Sequence, residues 1–535
     1  MHGGIQAVEL IFLLLLLFVV VFGALAHRLR TPYPIILVIA GLLLSFVPGI
    51  PRVSLNPDVI FFVVLPPLLY YAAWVTSWRD FSYNLVSILL LAFGLVTFTV
   101  VGVSIAVQSF VPGFGWKLGV VLGAIIAPTD ALAATTIAKK IGLPKRIVDI
   151  LEGESLVNDA SGLLALEFGI AMVVRNQTPT FTEGVFRIAY LVLAGIGIGL
   201  IAGWIVNKLE RQIDHAPIEI AISILVPYSV YFAADVLHAS GVLAVIVCGL
   251  ILSRRSSEFF TPEVRLQSSA VWDTLNFILN GLVFVLIGLQ LPYVLAGIQG
   301  YNLRTLVLYG GLFSALVILL RLIWIFPGAA LAYKIRNTCL HQHEKLPAPL
   351  GILIVGWTGM RGVIALAAAI ALPQTLADGS PFPFRDLIVY LAFSVIFVTL
   401  VLQGLTLPAV VRLLKIKRED GTNLEEQSAR REMLQAAIGF LEDSRLKDKK
   451  KYDDVYADLS GHYQQRLIAL REDSDEKNEV APEHYRHHAR LLRDLLRVER
   501  QTAVRLRDQG HINDETLRQL EYELDLREVN PSASF

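Results

Sequence analysis

Three carboxylates fall inside one otherwise apolar stretch, Glu152-Gly-Glu-Ser-Leu-Val-Asn-Asp-Ala-Ser-Gly162. On a helix turning about 100° per residue, Asp159 and Ser155 share a face and Glu152 lies one turn further on the same side. Glu154 points about 140° away from Asp159, with Asn158 on its own side and flanking Asp159. The two acids therefore have different tasks. Asp159 with Ser155 offers oxygen ligands to a small hard cation, and a carboxylate takes a proton equally well. Glu154 is placed to neutralise an intramembrane arginine. Arg361 is the first choice of partner, and Arg321 is the other cation in need of one. Glu152 reads as a solvated residue near one end, and Glu167 as the partner of a polar group near the other.

Asp130 is the only charge between Lys117 and Lys139, in "AIIAPTDALAATT". Pro128 there removes a backbone donor and interrupts the helix. A carboxylate at such a break can cap a half-helix N-terminus and still bind a cation. A second interrupted segment, "GWTGMRGVIALAAAI", places Gly356, Gly359 and Gly362 around Arg361. Two broken spans, fifth and twelfth in order, suit an inverted repeat of six spans whose crossed breaks form a site at mid-membrane.

These residues need a membrane around them. Of 535 residues, 55% are hydrophobic and only 17% charged, and the mean hydropathy is +0.59. Apolar runs near 20 residues match the thickness of a bilayer core. The expected fold is an all-α polytopic membrane protein with about thirteen spans. They run over 5–26, 33–50, 57–77, 83–110, 115–139, 147–175, 185–207, 215–236, 238–253, 270–296, 304–333, 348–374 and 386–412. The first run lacks the basic n-region of a signal peptide and reads as a transmembrane helix.

Alternate loops carry unequal basic charge. Fifteen Lys and Arg residues, Arg28, Arg79, Lys145, Arg211 and Arg336 among them, fall on one side. The other side has only Arg52, Lys117, Arg175, Arg304 and Arg385. The positive-inside rule then puts the N-terminus outside and, with an odd number of spans, the C-terminus in the cytoplasm. The expected location is the cell (inner) membrane. From residue 416 to 535 the chain holds 21 basic and 26 acidic residues, with apolar positions at helical spacing. This is a soluble helical tail, separate from a transmembrane domain over 1–415. The net formal charge of zero gives no sign of a nucleic-acid partner. Cys248 and Cys339 are too few for a disulfide framework and read as packing residues.

"LPPLLYYAAW", "APTDALAATT", "LEGESLVNDASG" and "GWTGMRGVIALA" resemble, in this order, the motifs of the monovalent cation:proton antiporter family, in its bacterial sodium–proton exchanger branch. The resemblance covers residues 5–415 and leaves the tail outside. It implies a homodimer of thirteen-span protomers in which a core domain moves like an elevator against a dimerisation domain. It implies that Asn158 and Asp159 form the ion-binding motif, with Asp159 carrying cation and proton in turn. Thr129 and Ser155 would add oxygen ligands, and Asp130 would support the crossing. Glu154 with Arg361 would be a structural ion pair, and Arg321 a further core arginine. The third span departs from several relatives, which have an acid where this chain has Tyr71 after Pro66-Pro67. An outer acidic ligand is thus missing or supplied elsewhere.

The chemistry expected is competition at one carboxylate. Protonated Asp159 is neutral and cannot hold sodium, whereas ionised Asp159 can. With Asn158 rather than a second acid beside it, one cation exchanges for one proton. The transported ions are sodium, with lithium or potassium as alternatives, and protons; no cofactor is expected. A channel would need a repeated carbonyl filter, which the sequence lacks. An intramembrane enzyme would need a nucleophile or a metal set. "HQHEKLP" misses the zinc motif because Pro347 stands where its second His should be. The tail histidines His484, His487 and His488 could titrate near neutrality.

Overall fold

The computed structural model describes residues 2–29, 31–47, 57–174, 181–213, 215–298, 300–342, 347–376, 378–414, 421–447 and 452–472, with parts of 491–524. Among these, every regular element is a helix. Two compact units divide the chain, Met1–Glu419 and Asp420–Phe535.

Among the described residues of the first unit, ten helices are long and apolar enough to cross a membrane, from Leu10–Arg28 to Arg385–Leu413. Three further expected spans take other forms. Tyr33–Leu44 is apolar but short, Gly241–Phe259 carries Arg254, Arg255 and Glu258 in its last turns, and the twelfth is split. In that one, Pro349–Trp357 and Val363–Ile370 are separated by Thr358–Gly362. The fifth expected span is split likewise, into Trp116–Ile126 and Ala131–Ile141.

Proline and polar side chains explain the irregular turns. Pro66 and Pro67 cannot donate to the carbonyls one turn earlier, and the preceding Ile60–Val64 widens into a π-helix. The Tyr228 hydroxyl donates to the Val63 carbonyl at 3.0 Å and satisfies it. A second π-helical stretch, Leu90–Leu95, turns its carbonyls outward. Trp324 Nε1 donates to Leu90 at 3.2 Å, and the Ser161 hydroxyl donates to Ala92. A third, Thr399–Gln403, presents the Thr399 hydroxyl to the amide of Arg361 at 3.2 Å.

Helix packing sorts this unit into two groups. Tyr33–Leu44 packs on Pro262–Leu289, and Gly241–Phe259 packs on Phe181–Glu210 and on Leu65–Val75. Val96–Phe110 packs on Trp116–Ile126, which packs on Lys145–Val174. Leu303–Cys339 packs on Pro349–Trp357 and Arg385–Val398.

The second unit contains Gly421–Lys447 packed against Asp453–Glu472. Arg445 bridges their connection, donating through Nε and Nη2 to Asp453 at 2.5 and 2.7 Å. His484, His487 and His488 lie outside the described residues.

Candidate functional site

The two broken spans cross and complete each other. Trp116–Ile126 ends where Pro128 cannot donate, and the Asp130 amide, the natural donor to Ile126, turns away to the Met360 carbonyl at 2.8 Å. The Ile126 carbonyl is left for Arg361 Nε, which donates to it at 3.0 Å. Arg361 Nη1 also donates to the Gly359 carbonyl. In the partner break, Arg321 Nε and Nη2 donate to the Val355 carbonyl at 3.2 and 2.9 Å. Each first half-helix thus ends on a guanidinium, which suits the negative end of a helix dipole.

The opposite ends are built for negative charge. Asp130 is the N-cap of Ala131–Ile141 and accepts from the Leu132 amide at 2.8 Å. Gly362 stands against it: a Cβ there would lie 2.6 Å from the Asp130 Cβ. Gly162 similarly admits the Pro128 ring against the Lys145–Val174 helix.

Glu154 corrects the pairing read from the sequence. Its carboxylate is held by Arg321, with Nη1 on one oxygen and Nη2 at 2.8 Å on the other, not by Arg361. The side of the helix that carries Glu154 faces Leu303–Cys339, and the Arg361 side chain points away to cap Ile126. Glu154 is 1% exposed and Arg321 0%, so the pair depends on its bidentate geometry to offset desolvation. The Thr129 hydroxyl donates to Glu154 Oε1 at 2.8 Å.

Asn158 is a brace. Its amide nitrogen donates to the Thr129 hydroxyl at 2.7 Å and to the Thr129 carbonyl at 3.2 Å. Thr129, Asp130, Ser155 and Asp159 line a cavity of about 390 Å³, and Asn158 does not. The Ser155 hydroxyl accepts from the Ala131 amide at 3.1 Å. Asp159 is buried, and among the described residues no donor hydrogen-bonds to it. The expected set therefore splits into four residues on the cavity and three behind it, Asn158, Glu154 and Arg321, that fix Thr129 and the second break. Arg361 holds the first break.

Glu152, expected to be solvated, lines the same cavity and pairs with Lys139 at 2.8 Å. Glu167 pairs with Arg187 at 3.1 Å. Arg336 had read as a loop residue; it lies in Leu303–Cys339, 2% exposed, and donates to the Tyr83 carbonyl at 3.1 Å. Cys248 is buried as expected, whereas Cys339 is exposed.

The sequence reading missed the far wall of the cavity. Tyr71 lies there, with Asn276 and Asn280 of Pro262–Leu289. Polar residues at 273, 276 and 280, spaced like one helix face in an apolar span, were the available signal.

Crossed broken helices around a buried carboxylate, inside a bundle of apolar spans, define a secondary transporter of ions. The family described as "Sodium/hydrogen exchanger, transmembrane" matches residues 13–413. An uncharacterized Na(+)/H(+) exchanger of Mycobacterium tuberculosis is 33% identical over 517 residues, covering 96% of this chain and 94% of the relative. A sodium, potassium, lithium and rubidium/H(+) antiporter of Bacillus pumilus is 31% identical over 510 residues, covering 93% of this chain and 73% of the relative. The sodium proton antiporter MjNhaP1 from Methanocaldococcus jannaschii shares the fold, with a TM-score of 0.59 at 17% identity over 77% of this chain and 99% of that one. The chain belongs to the sodium/hydrogen exchanger family: it is a membrane antiporter that exchanges a cation for a proton.

Proposed function

We propose that the exchange is of sodium for a proton, one for one, with Asp159 as the group that carries each in turn. The observation that carries this reading is the isolation of Asp159 on the cavity, beside the oxygens of Thr129, Ser155 and Asp130. Charge counting supports the stoichiometry. Glu154 balances Arg321, and the crossing holds one charge of each sign, Asp130 on the Leu132 amide and Arg361 on the Ile126 carbonyl. Asp159 has no ion-pair partner among the described residues. One sodium or one proton neutralises it, and the empty site carries a net charge that disfavours its passage through the low-dielectric core. Asp130 acts at the site as both helix cap and outlying anion, and Thr129 contributes the face of its carbonyl that Asn158 leaves open.

Potassium is a second reading, favoured by the Bacillus pumilus relative, whose name includes it. Sodium and potassium bind the same oxygens, and cavity size decides between them. The protein acts as a homodimer in the cell membrane, with the Lys139–Glu152 end of the cavity toward the cytoplasm, the side where the basic loops collect. The C-terminal tail is cytoplasmic. Proton flux in proteoliposomes, after pulses of sodium, lithium or potassium at several clamped potentials, tests this. A cation-driven flux that vanishes in Asp159→Asn and reverses at a point independent of voltage supports it. A voltage-dependent reversal point overturns the one-for-one count.

A further inference from the structure

Opposite the Asp159 wall, Tyr71 lines the cavity and its hydroxyl donates to Asp273 Oδ1 at 2.5 Å. Asp273 is exposed at the rim and also accepts from the Ser269 hydroxyl at 3.4 Å. It sits eleven residues into Pro262–Leu289, about 16 Å along a helix whose spans cross a bilayer. A carboxylate at that depth is costly unless it faces water or a partner. Its exposure and its bond to the cavity-lining Tyr71 place it next to the cavity opening. The ring of Tyr71 also stacks on Trp272, with centroids 6.2 Å apart, which fixes the phenol against the helix. Further along the same face, Asn276 and Asn280 line the cavity, and the Asn280 amide donates to Asn276 Oδ1 at 2.7 Å. An acid at the rim is thus followed by two amide side chains on one stripe that leads inward.

We propose that Asp273, oriented by Tyr71, is a carboxylate at the mouth of the transport cavity, outside the lining acids Asp159, Asp130 and Glu152, which draws the hydrated monovalent cation to the rim and passes it along Asn276 and Asn280 to Asp159. This rests on the reading of Asp159 as the transport site. Asp273 does not take part in the exchange itself: it raises the local cation concentration, so its effect falls on the half-saturating concentration and is weakened by salt.

The experiment measures cation-driven proton flux in proteoliposomes for the wild type, Asp273→Asn, Asp273→Glu, Tyr71→Phe and Asp159→Asn, each first shown to be monodisperse. Asp273→Asn is expected to raise half-saturating sodium about fivefold, as for one water-screened carboxylate. Excess sodium should recover the flux, Asp273→Glu should restore the wild-type value, and Tyr71→Phe should shift it less in the same direction. Added impermeant choline salt should shrink the difference between Asp273→Asn and wild type. An unchanged half-saturation with reduced maximal flux would show that the Tyr71–Asp273 bond only ties two helices together, and would overturn the proposal. Flux surviving in Asp159→Asn would instead overturn the transport-site reading beneath it.

Discussion

Glu154 and Arg321 meet as two parallel forks, both guanidinium Nη atoms on both carboxylate oxygens, with each side chain withdrawn from solvent. The same guanidinium caps the Val355 carbonyl. One arginine thus joins the acid of the unbroken Lys145–Val174 helix to the end of a broken one.

Loss of that arginine strands a buried charge. Arg321→Ala should destabilise the protein by about 3–5 kcal/mol, the cost of breaking a buried pair from one side. Arg361→Ala leaves the pair intact and gives up hydrogen bonds to carbonyls, so its melting temperature in detergent should fall less. Equal melting temperatures for the two variants would contradict this ordering.

At Asp159 the expectation concerns function and not folding. Asp159→Asn should retain the elution profile and thermal stability of the wild type while cation-driven proton flux drops to the empty-liposome baseline. Asp159→Glu should keep a small fraction. Substantial flux in the asparagine variant would place the carrier elsewhere.

Asn158 invites the opposite test. Because its side chain faces Thr129 and not the cavity, Asn158→Asp sets a carboxylate against a hydroxyl and a carbonyl oxygen that now receive two hydrogen bonds. Flux should fall about tenfold, the effect of roughly one lost and one clashing polar contact. The reversal point should stay independent of voltage. A voltage-dependent flux in this variant would mean that position 158 reaches the transported ion.

The cap at Asp130 can be separated from its charge. Asp130→Asn preserves an N-cap and should cost little stability, whereas Asp130→Ala should cost about 1 kcal/mol. If the carboxylate also acts on the cation, half-saturating sodium rises in both variants. Chemical denaturation paired with flux measurements reads the two effects independently.

Competition at Asp159, as proposed, fixes the direction of the pH effect. Protons and sodium exclude each other, so half-saturating sodium should increase as pH falls. The rise should approach about tenfold per pH unit once the site is mostly protonated, since each unit changes proton activity by that factor. Maximal flux at saturating sodium should change far less. A pH effect confined to maximal flux would point to regulation outside the site.

Much of the fold was legible because a bilayer imposes length and apolarity on every span: among the described residues ten helices are long and apolar enough to cross one, and the fifth and twelfth expected spans are broken pairs. The breaks were legible too, from Pro128 and the glycines around Arg361. What a helical wheel could not supply was the neighbour across the bundle. It placed Glu154 and Asp159 on different sides, yet the choice between Arg361 and Arg321 depended on which helix packs beside Glu154. Orphaned carbonyls at Ile126 and Val355 decided the arginines, and backbone groups leave no trace in residue types. Arg336 was misread because a span's end cannot be located from hydropathy when the helix, Leu303–Cys339, continues well past its apolar stretch. The roles of Asn158 and Tyr71 were hidden for the same reason, since both depend on a partner distant in sequence.

The side-chain bonds of the two helix groups have a mechanical meaning. Ser161 to Ala92, Trp324 to Leu90 and Arg361 to Ile126 fasten the helices behind Asp159 to one another. Tyr228 to Val63, Ser253 to Trp74 and Trp272 to Ser223 do the same for the helices across the cavity. Between these two bolted blocks the cavity walls present Ile60, Val64, Leu65 and Leu68 against Ile364 and Ala365. Methyl groups grip without preferred direction, so sliding one past another exchanges like contacts for like. If the exchange proposed at Asp159 slides one block past the other, such a seam is a bearing of low friction: the ratchet would lie in that charge, and the greased track in the aliphatic residues beside it.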